Sequence, residues 1–112
     1  MSVLKRRAED LAAADLAASV ASYALGVERD AILNFGRGNA STAYARQVAF
    51  YLCHSGFQMS LARVAAAFGR DRSTVAHACH LIEDRREEAQ FDMWLAALEQ
   101  LLRAAVMRRR QS

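Results

Sequence analysis

The segment FGRDRSTVAHACHLI, residues 68–82, gathers Ser73, Thr74, His77, Cys79 and His80 behind Arg70, Asp71 and Arg72, and Cys53 and His54 supply a second thiol and imidazole upstream. Three chemistries use such residues. Zinc takes four thiolates or imidazoles in a tetrahedron, but Cys79 and His80 are helix neighbours pointing about 100° apart. Cys53 and His54 are split in the same way, so no metal site is expected. A nucleophile needs a base that is itself held by a third group. Ser73 and His77 stand four residues apart and within reach on a helix, yet no acid on that face would orient the imidazole, so neither an enzyme nor a cofactor is expected. The third chemistry is recognition of a polyanion, in which short polar and basic groups on one helix face meet base edges and phosphates.

Positioning these residues falls to helices. The chain has no Pro, and Ala, Leu, Arg and Glu dominate it, so propensity favours helix nearly everywhere and predicts an all-α fold of five to six helices. The first helix is expected over about Val3 to Leu25, with Leu11, Ala14, Ala18, Ala21 and Leu25 as its apolar stripe and Gly26 as its end. A short turn of helix follows at Arg29 to Asn34, and then FGRGNAS, residues 35–41, reads as a flexible loop. Ser41 or Thr42 is expected to cap the next helix, about Ala43 to His54, with Val48, Tyr51 and Leu52 on one face.

HSGFQ, residues 54–58, is expected to break that helix. Ser60 then caps a short helix from Leu61 to Phe68, Gly69 takes the left-handed C-terminal cap, and the Asp71 carboxylate caps a helix running from Arg72 to about Glu88. A last helix is expected over roughly Phe91 to Arg108, its apolar face made by Phe91, Trp94, Leu95, Leu98, Leu101, Leu102 and Ala105. Within residues 61–88, a short helix, a tight Gly turn and a longer amphipathic helix make the outline of a helix-turn-helix. On the longer helix Val75, Ala78, Cys79 and Ile82 form the core face. Ser73, Ala76, His77 and His80, with Arg72 and Thr74 at its start, lie opposite, and no acid interrupts them before Glu83. On the residues alone, this face reads either as a DNA-reading surface or as an ordinary solvated one.

The 112 residues bound one domain, spanning 1–112, rather than two. Hydrophobic residues make up 54%, enough to fold, with no apolar run long enough to span a membrane. The formal net charge of +3, carried almost wholly by Arg, suits a polyanionic partner without requiring one. The two cysteines are expected as reduced, buried thiols in a cytoplasmic protein without a secretory signal.

ARQVAFYLC (Ala45 to Cys53) followed by SLARVAAAFGRDRSTVAHACHLIE (Ser60 to Glu83) resembles the C-terminal DNA-binding domain of the bacterial replication initiator DnaA, with looser similarity from about Asp15 to Leu102. The resemblance implies that Asp71, Arg72, Ser73, Thr74, Ala76 and His77 face the major groove of an asymmetric, A·T-rich box. It places Arg46 and Gln47, with His54 and Arg70, on the DNA backbone, and it leaves Arg37 for the minor groove. Departures from the family pattern accompany these matches. Gly69 stands alone where the family has two glycines, which would tighten the turn and tilt the recognition helix. Arg72 replaces a His-like residue, Ala76 a Leu-like one and His54 a Lys, and the basic loop is reduced to GRGNAS. Fewer fixed charges imply weaker, more salt-sensitive binding.

No GxxxxGK[ST] phosphate loop occurs in the chain, so the expectation is a free-standing copy of the DNA-binding domain without the initiator's ATPase. Double-stranded DNA is the expected partner, at initiator-like boxes, for regulation of replication initiation in the nucleoid. The initiator itself is a second candidate partner, and a monomer or weak dimer fits an asymmetric site. Two rivals use other logic: a transcription regulator with the same DNA surface, or an interaction module that binds the initiator through the helix from Phe91 to Val106.

Overall fold

A computed structural model of the chain describes residues 2–34 and 38–111, with 109–111 described by backbone alone. Six α-helices and no strand occur among the described residues: α1 (Val3–Leu25), α2 (Arg29–Leu33), α3 (Ala40–Tyr51), α4 (Leu61–Phe68), α5 (Arg72–Arg85) and α6 (Ala89–Gln111). The all-α reading holds. None of these helices is long and apolar enough to cross a membrane.

α3 is the central strut. It packs against both α1 and α5, while α4 bridges α1 and α5, and α6 closes over the turn that follows α3 and part of α1. Its Ala45, Val48, Ala49, Phe50 and Tyr51 are all buried. α1 can approach closely because its inward stripe is small, with Ala14, Ala17, Ala18 and Ala21 almost wholly enclosed. Leu11, expected on that stripe, is instead half exposed. The Phe50 ring meets Phe68 of α4 edge-on at 4.9 Å, an arrangement favoured by the ring quadrupoles.

Several ends differ from expectation. The cap of α3 is Asn39 rather than Ser41 or Thr42, since its carboxamide oxygen accepts from both the Thr42 amide at 2.9 Å and the Thr42 hydroxyl at 3.1 Å. Its far end does not stop at HSGFQ but widens into a π-helical turn, Leu52–Gly56. Gly56 sits so close to α6 that an added Cβ would fall 2.9 Å from Leu102 Cδ2, so the absence of a side chain lets the two elements meet. The chain then turns through Gln58, which adopts a left-handed φ of 57°. α5 ends at Arg85, short of the expected Glu88, because Glu87 and Glu88 fold into a turn that leads straight into α6. On α6 the buried residues are Phe91, Leu95, Leu98 and Leu102 together with Glu99, whereas Leu101 faces out.

Glu99 is buried because Arg86 needs it. The Arg86 guanidinium donates to Asp92 at 2.6 Å, to both Glu99 oxygens at 3.2 Å and to the Tyr51 hydroxyl at 3.1 Å. Tyr51 in turn donates to Glu83, and the Ser55 hydroxyl donates to Glu99. One network thus ties α3, the π turn, α5 and α6. The buried thiols lie apart from any disulfide.

Removing Arg86 strands the buried Glu99 carboxylate, while the half-exposed Asp92 stays solvated, so Arg86→Ala should cost about 3 kcal/mol in urea unfolding. Alkaline pH should also destabilise the fold. Burial pushes Cys53 up to about 12 and Cys79 up to about 11 from an ordinary 9.0, and burial together with the Glu83 contact raises Tyr51. These acids stay protonated in the fold while the unfolded chain ionises, so their contribution is complete below pH 9 and is lost as pH climbs toward 12. Unfolding free energy followed against pH should fall through that window, and less steeply in Cys53→Ala.

Candidate nucleic-acid interface

The turn between α4 and α5 is made by backbone geometry. Gly69 adopts a left-handed φ of 65°, its amide bonds the Ala66 carbonyl, and the Arg70 amide bonds the Ala65 carbonyl at 2.9 Å. This paired closure of a helix C-terminus is open to Gly because it has no Cβ. Asp71 occupies the cap position of α5 with extended backbone, but its carboxylate makes no capping hydrogen bond, contrary to expectation. The first-turn amides of α5 therefore remain open to an outside acceptor, in a turn that also holds no acid.

α5 divides as its periodicity predicts. Val75, Ala78, Cys79 and Ile82 are buried, while Asp71, Arg72, Ser73, Thr74, His77 and His80 are exposed and Ala76 is half buried. Between α5 and α3 runs an open groove of about 410 Å³, floored by Phe50 and Ala78 and walled by Arg46, Gln47 and Arg70 on one side and Ser73, Thr74 and His77 on the other. Six of the residues singled out from sequence thus share one concave surface, and no carboxylate lines it. Asp71, Arg72 and Ala76 lie on the same helix outside the groove walls. His54 does not reach it: the ring sits in the π turn, where Nδ1 donates to the Met59 carbonyl at 2.8 Å. Arg37, the expected minor-groove residue, lies outside the described residues.

Sequence reasoning missed how the two groove arginines are held. Arg46 Nε donates to the Ile32 carbonyl at 2.9 Å, and its Nη2 donates to Ala31 at 2.8 Å and Asn34 at 3.1 Å. Arg70 Nη2 reaches the same Asn34 carbonyl at 3.1 Å. A five-residue helix such as α2 ends in carbonyls with no partner of their own, and that shortage was the available signal for an incoming donor. Partial burial and the neighbouring Arg70 charge lower the Arg46 pKa from its ordinary value, although a guanidinium remains charged throughout the physiological range. Two cations held side by side on one carbonyl give the groove a fixed positive wall.

Residues 14–82 match the family described as bacterial dnaA protein helix-turn-helix. The chromosomal replication initiator protein DnaA 1 of Chlamydia pneumoniae is 38% identical over 79 residues, covering 70% of this chain and 16% of that protein. The chromosomal replication initiator protein DnaA of Bifidobacterium animalis subsp. lactis is 42% identical over 77 residues, covering 68% and 13%. The chain thus spans about a sixth or less of these relatives. Among solved structures, a DNA replication initiation factor superposes with a TM-score of 0.75 at 29% identity, over 88% of this chain and 31% of that one. A replication initiator DnaA bound to AMPPCP and single-stranded DNA gives 0.73 at 26% identity, over 88% and 30%.

Because Arg46 closes α2 as well as lining the groove, its loss should be felt without any ligand. Arg46→Ala should lower stability by roughly 1–3 kcal/mol by leaving carbonyls unpaired, whereas Gln47→Ala should change it by less than about 0.5 kcal/mol. Thermal melts of the two variants side by side provide the check.

Proposed function

Since the chain belongs to the bacterial dnaA protein helix-turn-helix family, we propose that it binds duplex DNA at initiator-like boxes and regulates the start of chromosome replication, without catalysis of its own. The observation that carries this reading is the acid-free groove between α3 and α5, where Arg46, Gln47 and Arg70 face Ser73, Thr74 and His77. An α-helix fits the major groove, about 12 Å wide. With α5 in that position, Ser73, Thr74 and His77 approach base edges alongside Asp71, Arg72 and Ala76, while Arg46, Gln47 and Arg70 meet the phosphates of one strand. Arg37 is assigned to the adjacent minor groove and His54 to a flanking phosphate, the latter after its ring leaves the Met59 carbonyl. The open first-turn amides of α5 supply a further phosphate site, since a helix N-terminus favours anions.

The relatives are named as chromosomal replication initiators, and the role in initiation is carried over from them. A transcription regulator would use the same groove, so occupancy at the origin rather than at promoters distinguishes the two. The rival reading, an interaction module acting through the last helix, would use the exposed Met93, Leu101 and Met107, since Phe91, Leu95, Leu98 and Leu102 are buried in the chain's own core. The protein is expected to act in the cytoplasm at the nucleoid, as a monomer or weak dimer on an asymmetric site, and the initiator is a second expected partner.

Titration of labelled duplexes carrying initiator boxes against scrambled duplexes, at two salt concentrations, is the direct test. Box DNA should bind more tightly, and equal weak binding of both would remove the replication reading. His77→Ala should cost about 1–3 kcal/mol on the box and relax the preference. Arg70→Ala should weaken both duplexes alike and reduce the salt slope by about one.

A further inference from the structure

Two ends of the molecule carry opposite charge beside exposed apolar surface. At one end, a hollow of about 240 Å³ between the start of α1 and α4 is lined by Val3, Leu11, Ala62 and Ala66, with Arg6 and Arg7 on its border. Val3 is 84% exposed there. Asp10 and Arg63 also border it, but they neutralise one another through paired contacts of 2.6 and 3.1 Å. Glu9 lines the adjoining hollow, against Val106 of α6, and its charge also acts on Arg63, so Arg6 and Arg7 exceed what the two acids offset. Arg6 and Arg7 are exposed, and neither pairs with a carboxylate among the described residues, so the hollow is apolar with a net positive rim.

At the other end, Glu87 and Glu88 stand in the turn between α5 and α6, both exposed and in no ion pair among the described residues. Met93, in the second turn of α6, is 71% exposed. The nearby cations are engaged. Arg86 is enclosed by Asp92 and Glu99, and Arg85 lies 4.1 Å over the Phe91 ring while donating to Tyr44. Asp84 is in turn partnered by His80. What remains is two unpaired carboxylates, among the described residues, at the start of the helix that exposes Met93.

α6 separates the two ends. It starts after Glu88, and Val106, about 25 Å further along at 1.5 Å per helical residue, lines a hollow with Asp10 and Arg63, which also line the basic one, in a molecule 38 Å long. We propose that the acidic Met93 end of one copy docks into the basic hollow between α1 and α4 of a second copy, head to tail. Charge and shape complement each other between the two poles, whereas each pole would repel its own kind. Such a contact joins different patches, so it leaves a free pole at each end and extends into a chain rather than closing into a symmetric dimer. Neither pole includes a residue of the α3–α5 groove, so the proposal stands independently of DNA binding. Exposed charge pairs are individually weak, and the association is therefore one of high protein concentration and low salt.

Sedimentation velocity on the whole chain without DNA tests this. The average mass should rise with concentration in about 20 mM salt, and the association constant should drop roughly tenfold or more in about 300 mM salt. Arg6→Glu with Arg7→Glu should abolish the rise, as should Glu87→Lys with Glu88→Lys, with circular dichroism unchanged in both. Mixing the two double variants should restore it, because each then offers the pole the other lacks. A protein monomeric at every concentration would overturn the proposal. So would a dimer indifferent to these substitutions, or a mixture that stays monomeric.

Discussion

A guanidinium removed from water must be surrounded by acceptors, and around Arg86 this requirement fixes most of the fold. Its partners come from α3 (Tyr51) and α6 (Asp92 and Glu99), and it sits at the end of α5. Tyr51 extends the same network to Glu83, and Glu99 extends it to Ser55 in the π turn. Every buried side-chain nitrogen and oxygen among the described residues has a partner, and here that satisfaction is achieved by charge meeting charge. Apolar burial along α5 decides which way the helix faces, but such contacts tolerate sliding. The hydrogen bonds at its C-terminal end set its angle.

That anchorage matters for the other end of α5. Gly69 closes α4 and aims the chain into α5, Phe50 and Ala78 floor the groove, and the Arg86 network holds the far end. The exposed face from Arg72 to His77 therefore projects from a helix fixed at both ends. The single Gly69 is sufficient for a closed turn, with the Arg70 amide taking the Ala65 carbonyl. Family patterns with two glycines are not needed for this geometry.

What the sequence made legible was local. Period and cap chemistry located α1, α4 and α5 and the Ser60 and Gly69 caps, and the core face of α5 followed from Val75, Ala78, Cys79 and Ile82. Where neighbouring residues competed for one role, local reading failed. Asn39, Ser41 and Thr42 are all good caps, and Asn39 prevailed because its oxygen could take both the Thr42 amide and its hydroxyl. Glu99 reads as a solvent-facing residue within an apolar helix until Arg86 is placed beside it. Arg46 and Gln47 were visible as a pair by family resemblance. The 14 positions that separate Arg46 from Ile32 carry no periodic signal, so its attachment to α2 could only emerge from the fold.

The Asn34 carbonyl that receives both Arg46 and Arg70 has a thermodynamic corollary. A free Arg gives up as much as about 2 kcal/mol of rotamer entropy when immobilised. In this groove much of that loss is incurred on folding, when the two side chains are drawn to one oxygen. Under the proposed DNA-binding role, an anion at this groove would meet two side chains already held in place, so less ordering would be subtracted from its affinity. The same tethering restricts how far either guanidinium can swing to follow a phosphate that lies out of place. The carbonyl of one loop residue thus exchanges reach for preorganisation, and makes the spacing between the two cations a ruler for what the groove can hold.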